Sequence, residues 1–445
     1  MSRSILSSKV YKIRLIKLPY SFIYVMNHFK SILFFLIFIP VIALGQKLLI
    51  PMDQTQSDHL KAYGIAYWTL KQGQNVDWLL NYRGGSFMVN HDNDIERELK
   101  LRGVYYEPLN AGLLTDIFAI IEENNMEMVL LEKMPNIAVY SPPEKQPWDD
   151  AVTLALTYAE IDYDVVFDDE VFSDKLKDYD WLHLHHEDFT GQYGKFYKNY
   201  HNANWYKNME IQFQATAQKY GFNSVHELKK KVALKIKEYL ANGGFMFAMC
   251  SATDSFDIAM ATQNVDIAAN VYDNSPVDPN YHNKMDYSHS IAFENYNLYT
   301  NPMIYEYSTI DVPPSHRPVT RGAEADYFTL FEFSAKWDPV PTMLTQNHVA
   351  VINGFMGQTT GFDRSTLKNH ILIMGEVEND AMVKYIHGNV GKGTFTFLGG
   401  HDPEDYRHFV GDPPTDLSLH RNSPGYRLIL NNVLFPAARK KEKKT

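Results

Sequence analysis

The stretch FMFAMCSATDS, residues 245–255, carries the strongest fold signal in this chain. Its first five residues are apolar and predict a buried strand, and the polar residues after them predict a turn that starts a helix. The single cysteine, Cys250, lies at the junction. A side chain at such an elbow points out of the carboxyl edge of the sheet, near a helix N-terminus. Cys250 is therefore a candidate nucleophile, and the alternative is a buried structural cysteine.

Strands and helices alternate on both sides of this elbow. One strand–helix–strand cycle opens at KLLIPMD, residues 47–53, and a clearer one begins at NIAVYSPP, residues 136–143. This alternation predicts an α/β fold with a doubly wound, mostly parallel sheet. The predicted organisation is an N-terminal α/β subdomain at residues 46–134, a main domain at 135–437 with an irregular insertion at 270–345, and a basic tail at 438–445.

The N-terminal segment predicts export. From Met26 the chain reads MNHFKSILFFLIFIPVIALGQ, with a basic start, an apolar run at residues 32–44 and small residues before a cleavage point after Gly45. These are the three regions of a secretory signal peptide, and the run is short for a membrane span. We expect translation to start at Met26, no stable membrane insertion after cleavage, and a periplasmic or secreted mature protein. The alternative is an uncleaved N-terminal anchor.

Composition excludes several classes of protein. The chain has 445 residues, of which 45% are hydrophobic and 21% charged, so neither disorder nor a multi-pass membrane protein is expected. One cysteine cannot form an internal disulfide. Residues 1–45 hold six basic and no acidic residues, so the formal net charge of −11 becomes −17 for the remainder. A surface this acidic argues against a nucleic-acid partner.

Strand order, the Cys250 elbow and a histidine after a late strand resemble the class I glutamine amidotransferase-like superfamily, over roughly residues 136–437. That resemblance implies a flavodoxin-like fold, Cys250 as nucleophile, His401 as general base, and Glu404 as the residue that orients the imidazole. In the motif GGHDPE, residues 399–404, the third position stays open between Asp402 and Glu404. A thiol needs a base within hydrogen-bond reach, and the base needs an orienting carboxylate.

A second polar motif, HLHHEDF at residues 183–189, stands where that superfamily has a glycine-rich oxyanion loop. We assign His185, His186 and Glu187, together with Ser251 after the cysteine, to substrate binding, because ligands bind at the carboxyl ends of strands. Alternatively, His185 or His186, Glu187, His401 and Asp402 converge on one metal ion. Ordinary polar residues at a strand end explain the motif equally well.

Three functions remain open from the sequence. The first is an exported amidase or hydrolase in which Cys250 attacks a carboxamide or related acyl group. The second is a non-catalytic module that binds a glycan or peptide, and the third is a metal-dependent hydrolase that uses His185, His186, Glu187 and His401. No cofactor is predicted, because the glycine-bearing loops lack the Walker and dinucleotide patterns. The chain also resembles exported proteins labelled asparagine synthetase B, but an N-terminal cysteine and an S-G-G-x-D-S loop are missing.

Overall fold

The computed structural model describes residues 47–312 and 322–439. All of these residues belong to one compact unit. The predicted signal peptide and residues 440–445 of the basic tail lie outside the described residues, so these assignments stay predictions. No helix in the described ranges is long and apolar enough to cross a membrane.

The N-terminal part of the chain forms a five-stranded sheet in the order β4-β1-β3-β2-β5. Every neighbouring pair in it is antiparallel. Both faces are covered, since apolar residues of β1 and β2 contribute to two separate buried clusters. The strands are β1 (Lys47–Ile50), β2 (Val76–Leu80), β3 (Ser86–Asn90), β4 (Glu107–Leu109) and β5 (Glu127–Leu131).

The rest of the chain forms a ten-stranded sheet in the order β11-β10-β13-β14-β15-β9-β8-β6-β7, with β12 paired to β14. Strands β15, β9, β8, β6 and β7 are parallel neighbours. The strands are β6 (Ile137–Tyr140), β7 (Asp164–Val166), β8 (Trp181–Leu184), β9 (Phe245–Met249), β10 (Tyr327–Leu330), β11 (Val351–Asn353), β12 (Phe362–Asp363), β13 (Leu372–Glu376), β14 (Met382–Val390) and β15 (Gly393–Leu398).

The predicted doubly wound, mostly parallel sheet of the class I glutamine amidotransferase-like type is wrong. The first sheet is wholly antiparallel, and the second has five antiparallel pairings against four parallel ones. The reason is local. Strand β14 turns into β15 through only Gly391 and Lys392, whereas a parallel connection needs a dozen or more residues.

Helices cover the sheets and start mostly at polar caps. Asp58, Asp92, Asn110, Asp150, Ser224 and Ser423 each accept a backbone N–H at the start of a helix. The helices are α1 (His59–Lys71), α2 (Asn93–Arg102), α3 (Ala111–Glu123), α4 (Ala151–Ala159), α5 (Asp168–Phe172), α6 (Tyr197–Tyr200), α7 (Asn204–Lys219), α8 (Val225–Ala241), α9 (Ser251–Ala261), α10 (Asn270–Asp273), α11 (Tyr281–Lys284) and α12 (Pro424–Leu434).

The segment predicted as an insertion, residues 270–345, is largely irregular where it is described. It contains the short helices α10 and α11 and two 3-10 turns. It also supplies β10, which adds antiparallel pairing to the large sheet. The segment is therefore joined to the sheet through β10 and does not form a separate sheet of its own.

Candidate functional site

Cys250 occupies a strained elbow between β9 and α9. Its backbone has φ +50° and ψ −137°, a conformation that non-glycine residues rarely adopt. The neighbouring chain holds it there: the Cys250 N–H donates to the Gly400 carbonyl at 3.1 Å, and the Cys250 carbonyl accepts the Thr253 hydroxyl at 2.7 Å. The side chain is 4% exposed. Its Sγ accepts the backbone N–H of Gln358 at 3.3 Å.

His401 reaches Cys250 because their strands are parallel neighbours. Leu398, at the end of β15, pairs with Met249, at the end of β9. The chain then turns at Gly399 and Gly400, and a Cβ on Gly400 would lie 2.4 Å from the Phe355 ring. The His401 N–H donates to the Met356 carbonyl at 2.8 Å. This corner places a ring nitrogen of His401 within 4.8 Å of the Cys250 Sγ.

Asp149 is the carboxylate that faces His401. Its Oδ1 lies 3.8 Å from His401 Nε2 and 2.8 Å from His408 Nε2. The His401 and His408 rings are stacked, with centroids 4.4 Å apart. Asp149 comes from the segment between β6 and α4, directly before the helix cap Asp150. Cysteine, imidazole and carboxylate therefore form a chain of contacts at the carboxyl edge of the parallel strands.

His401 and Asp149 stabilise each other's charged forms. Burial lowers the pKa of His401, but Asp149 and the Cys250 thiol outweigh it and raise that pKa to about 9. Burial raises the pKa of Asp149, whereas His401 and His408 lower it more, so the carboxyl pKa lies below its usual range. The arrangement thus favours an imidazolium between a carboxylate and a sulfur atom.

The structure directs Glu404 and Asp402 to other partners. Glu404 Oε2 lies 2.9 Å from His420 Nδ1. The Asp402 carboxylate accepts the Thr415 hydroxyl at 2.7 Å and the Glu404 N–H at 2.9 Å. Of the three carboxylates, Asp149 is the one in an ion-pair contact with His401. The acid that contacts His401 is therefore neither Asp402 nor Glu404 but Asp149, some 250 positions earlier in the sequence.

Two of the predicted binding histidines lie beside this chain of contacts. The His185 ring stacks on His186 with centroids 3.9 Å apart, and both centroids lie within 4.7 Å of that of His401. The Nε2–H of His186 donates to the Asp149 carbonyl at 2.8 Å. Burial lowers the pKa of His185 to about 4 and that of His186 well below its usual value. Both imidazoles are therefore neutral near pH 7.

Glu187 turns away from the histidines. Its Oε2 accepts the backbone N–H of His185 at 2.8 Å, and burial raises the carboxyl pKa to about 7. Glu187 lines a neighbouring cleft of about 1060 Å³. Four residues were candidates for a metal site: His185, His186, Glu187 and His401. The three histidines lie together, and the fourth member of their group is Cys250 and not Glu187.

Cys250 opens onto a cavity of about 260 Å³ with aromatic walls. The sequence predictions Ser251, His186 and His401 line the same cavity, whereas Glu187 lines the larger cleft. Aromatic faces and a few polar groups around a reactive atom are typical of small-molecule sites. Besides its histidines, the aromatic and cationic lining residues are Trp148, Phe196, Tyr200, Tyr305, Arg407 and Phe409.

Sequence reasoning missed Asp149, His408 and the backbone of Gln358. The signal for Asp149 was the pair Asp149-Asp150 in the loop after a strand and before a helix, because such loops meet at the carboxyl edge of parallel strands. Gln358 lies in the motif NGFMGQTTGF, residues 353–362, whose glycines indicate only a turn. Nothing in its sequence indicates contact with a cysteine more than 100 positions away.

Comparisons with known proteins add little at this point. No family model matches the chain, and no curated protein matches it. Among solved structures, a cytoplasmic protein of Salmonella typhimurium is 11% identical, with 69% of this chain and 100% of that chain covered at a TM-score of 0.33. A second cytoplasmic protein of Salmonella typhimurium LT2 is 11% identical, with 68% of this chain and 100% of that chain covered at a TM-score of 0.31. A beta-galactosidase from Bacillus circulans sp. alkalophilus is 11% identical, with 61% of this chain and 29% of that chain covered at a TM-score of 0.24.

Proposed function

We propose that this protein is a cysteine-dependent amidase or related acyl hydrolase. The observation that carries the proposal is the contact chain from Cys250 through His401 to Asp149, with the sulfur and the imidazole on the wall of one cavity. Nucleophile, base and orienting acid are the three parts that acyl transfer requires.

The proposed reaction has two steps. The Cys250 sulfur, whose proton passes to His401, attacks the carbonyl carbon of the substrate. The C–N bond then breaks, the amine leaves with the proton from His401, and a thioester remains on the sulfur. In the second step His401 takes a proton from water, the resulting hydroxide attacks the thioester, and the carboxylic acid leaves as Cys250 is restored.

The oxyanion of each step needs backbone N–H donors. The motif HLHHEDF at residues 183–189 contains no glycine and does not form a flexible loop of such donors. We assign this role to the N–H groups of Gln358 and Ser251. The first already points at the sulfur, at 3.3 Å, and the second is the first N–H of α9, where the dipole favours negative charge. Loss of one such donor in other hydrolases typically lowers the rate by about 10² to 10³.

The single cysteine makes the test direct, because any alkylation reports on Cys250 alone. We expect iodoacetamide to label the native chain once, and p-nitrophenyl acetate to release a burst of one nitrophenolate per chain. Cys250→Ser abolishes both signals. His401→Asn slows both, and the matched variant His420→Asn, which removes an imidazole bound to Glu404, leaves them unchanged.

Two results would overturn the proposal. One is a native chain that is labelled only after denaturant is added, which would favour the non-catalytic binding module with a structural cysteine. The other is equal labelling of His401→Asn and the wild type. Export of the mature protein is part of the proposal, and mass spectrometry of the secreted N-terminus tests it, with a peptide from before Met26 as the contrary result.

A further inference from the structure

Four metal-binding side chains meet at the elbow. One ligand atom from each of His185, His186, Cys250 and His401 lies within 4.8 Å of all the others. Three of the four residues are buried, and His186 is partly exposed. This set combines three imidazoles with one sulfur, and within it no carboxylate competes for the ion. Imidazole and thiolate are the ligands that zinc and related thiophilic cations prefer.

His185 is the observation that a triad alone does not explain. Its side chain is fully buried, and neither ring nitrogen makes a hydrogen bond within residues 47–312 and 322–439. Buried polar nitrogens without a hydrogen bond are rare and costly. Nδ1 lies 3.4 Å from an Asp150 carboxylate oxygen and carries the ring proton, so Nε2 presents a lone pair that has no partner in the described residues. A bound cation would give this nitrogen a partner.

The outer contacts of the three imidazoles also fit metal ligation. Each ring has one nitrogen directed at an oxygen: His185 at the Asp150 carboxylate, His186 at the Asp149 carbonyl, and His401 at the Asp149 carboxylate. A ligating histidine typically holds its other nitrogen against a carboxylate or carbonyl, which fixes the ring and raises its basicity. An ion bound by the group would take the other nitrogen of each ring.

We infer that His185, His186, Cys250 and His401 bind a thiophilic divalent cation, with zinc the best fit. Ca²⁺ and Mg²⁺ are disfavoured, because they require oxygen ligands. Four protein ligands close a tetrahedral zinc site, whereas catalytic zinc sites keep one position open for water. Binding releases to solvent the one proton that the Cys250–His401 pair holds, and it places the sulfur on the metal. The ion therefore holds the elbow in a blocked resting form, and this inference stands whether or not Cys250 performs hydrolysis.

The test uses the purified full-length chain after treatment with a chelator. Titration with Co²⁺ is expected to give one ion per chain, with a sulfur-to-cobalt absorption band and the visible bands of tetrahedral cobalt. Zn²⁺ then displaces the cobalt. In parallel, one equivalent of Zn²⁺ protects Cys250 from iodoacetamide, and chelator restores the labelling.

Variants separate this inference from the proposed hydrolysis. His185→Gln weakens cobalt binding about tenfold or more, while His420→Gln leaves cobalt binding unchanged. If His185→Gln does not fold, the partly exposed His186→Gln replaces it with the same expectation. Labelling without any cobalt band overturns the metal site and leaves the hydrolase standing. A cobalt band in a chain whose metal-free form resists alkylation supports the metal site and overturns the hydrolase.

Discussion

Replacement of Asp149 by asparagine tests which acid serves His401. The variant keeps the size of the side chain and removes its charge. At the 3.8 Å between Asp149 Oδ1 and His401 Nε2, two unit charges in an environment of effective dielectric constant 20 attract by about 4 kcal/mol. His408 lies at 2.8 Å from the same oxygen and shares the carboxylate. We therefore take half of this value, about 2 kcal/mol, as the loss of imidazolium stabilisation.

A loss of about 2 kcal/mol corresponds to a decrease of about 30-fold in the population of the thiolate–imidazolium pair. Since the thiolate is the form that iodoacetamide attacks, the second-order rate of alkylation at neutral pH falls by the same factor. Intact-mass spectrometry over time measures this rate without knowledge of the natural substrate. Thermal unfolding of each variant checks that the chain remains folded.

Glu404→Gln is the matched control, because Glu404 is the acid expected from the superfamily resemblance and contacts His420 instead. Its alkylation rate should equal that of the wild type. The reasoning is refuted if Asp149→Asn alkylates at the wild-type rate, or if Glu404→Gln slows the reaction as much as Asp149→Asn does.

Three further predictions concern stability as well as the site. Cys250→Gly should be more stable than Cys250→Ala by about 1 kcal/mol in urea unfolding, although glycine is usually the less stable of the two. The reason is that a backbone with φ +50° and ψ −137° strains alanine but not glycine. Lys384→Met should lower the free energy of unfolding by about 2 kcal/mol and slow the alkylation of Cys250. The reason is that the buried Lys384 ammonium donates to the carbonyls of Phe355 and Thr360, on either side of Gln358. The control Lys368→Met leaves the carbonyls of Tyr287 and Ser290 without this donor and should lower the stability without slowing alkylation. Burial lowers the pKa of His387 to about 3, so the unfolded chain binds a proton that the folded chain does not, and the free energy of unfolding falls as the pH drops from 6.5 toward 3. His387→Gln should make this decrease less steep. An unchanged pH dependence of unfolding would show that His387 is not the group responsible.

The local part of the site could be predicted from sequence. A run of apolar residues followed by small and polar ones predicts a strand, a turn and a helix without knowledge of anything distant. The structure has β9 at Phe245–Met249 and α9 at Ser251–Ala261, with Cys250 between them. His401 follows two glycines at the end of β15, and this too is visible in the sequence. These features depend only on neighbours along the chain.

Strand direction could not be predicted in the same way, because an apolar run reads alike in a parallel and an antiparallel sheet. From sequence, GKGTFTFLGG at residues 391–400 is interpreted as one more strand of a parallel series, and β14 before it is not recognised. With β14 recognised, the two-residue connection Gly391-Lys392 excludes a parallel crossover. The missed strand accounts for the three antiparallel pairings that β14 makes, with β12, β13 and β15; the antiparallel pairings of β10 and of the first sheet do not involve β14.

The orienting acid was missed for a different reason, which also narrows the choice of residues to mutate. Asp149 and Asp150 are adjacent, yet they have different partners. Asp150 caps α4 through the N–H groups of Val152 and Thr153 and also faces His185, whereas Asp149 faces His401 and His408. A helix cap can be read from sequence, since its partners lie two and three residues on. The partners of Asp149 lie more than 250 residues away, and the carboxyl ends of β6 and β15 must first be brought to one edge of the sheet. Because the helix cap belongs to Asp150, Asp149→Asn is the variant that removes the charge beside His401 without removing the start of α4.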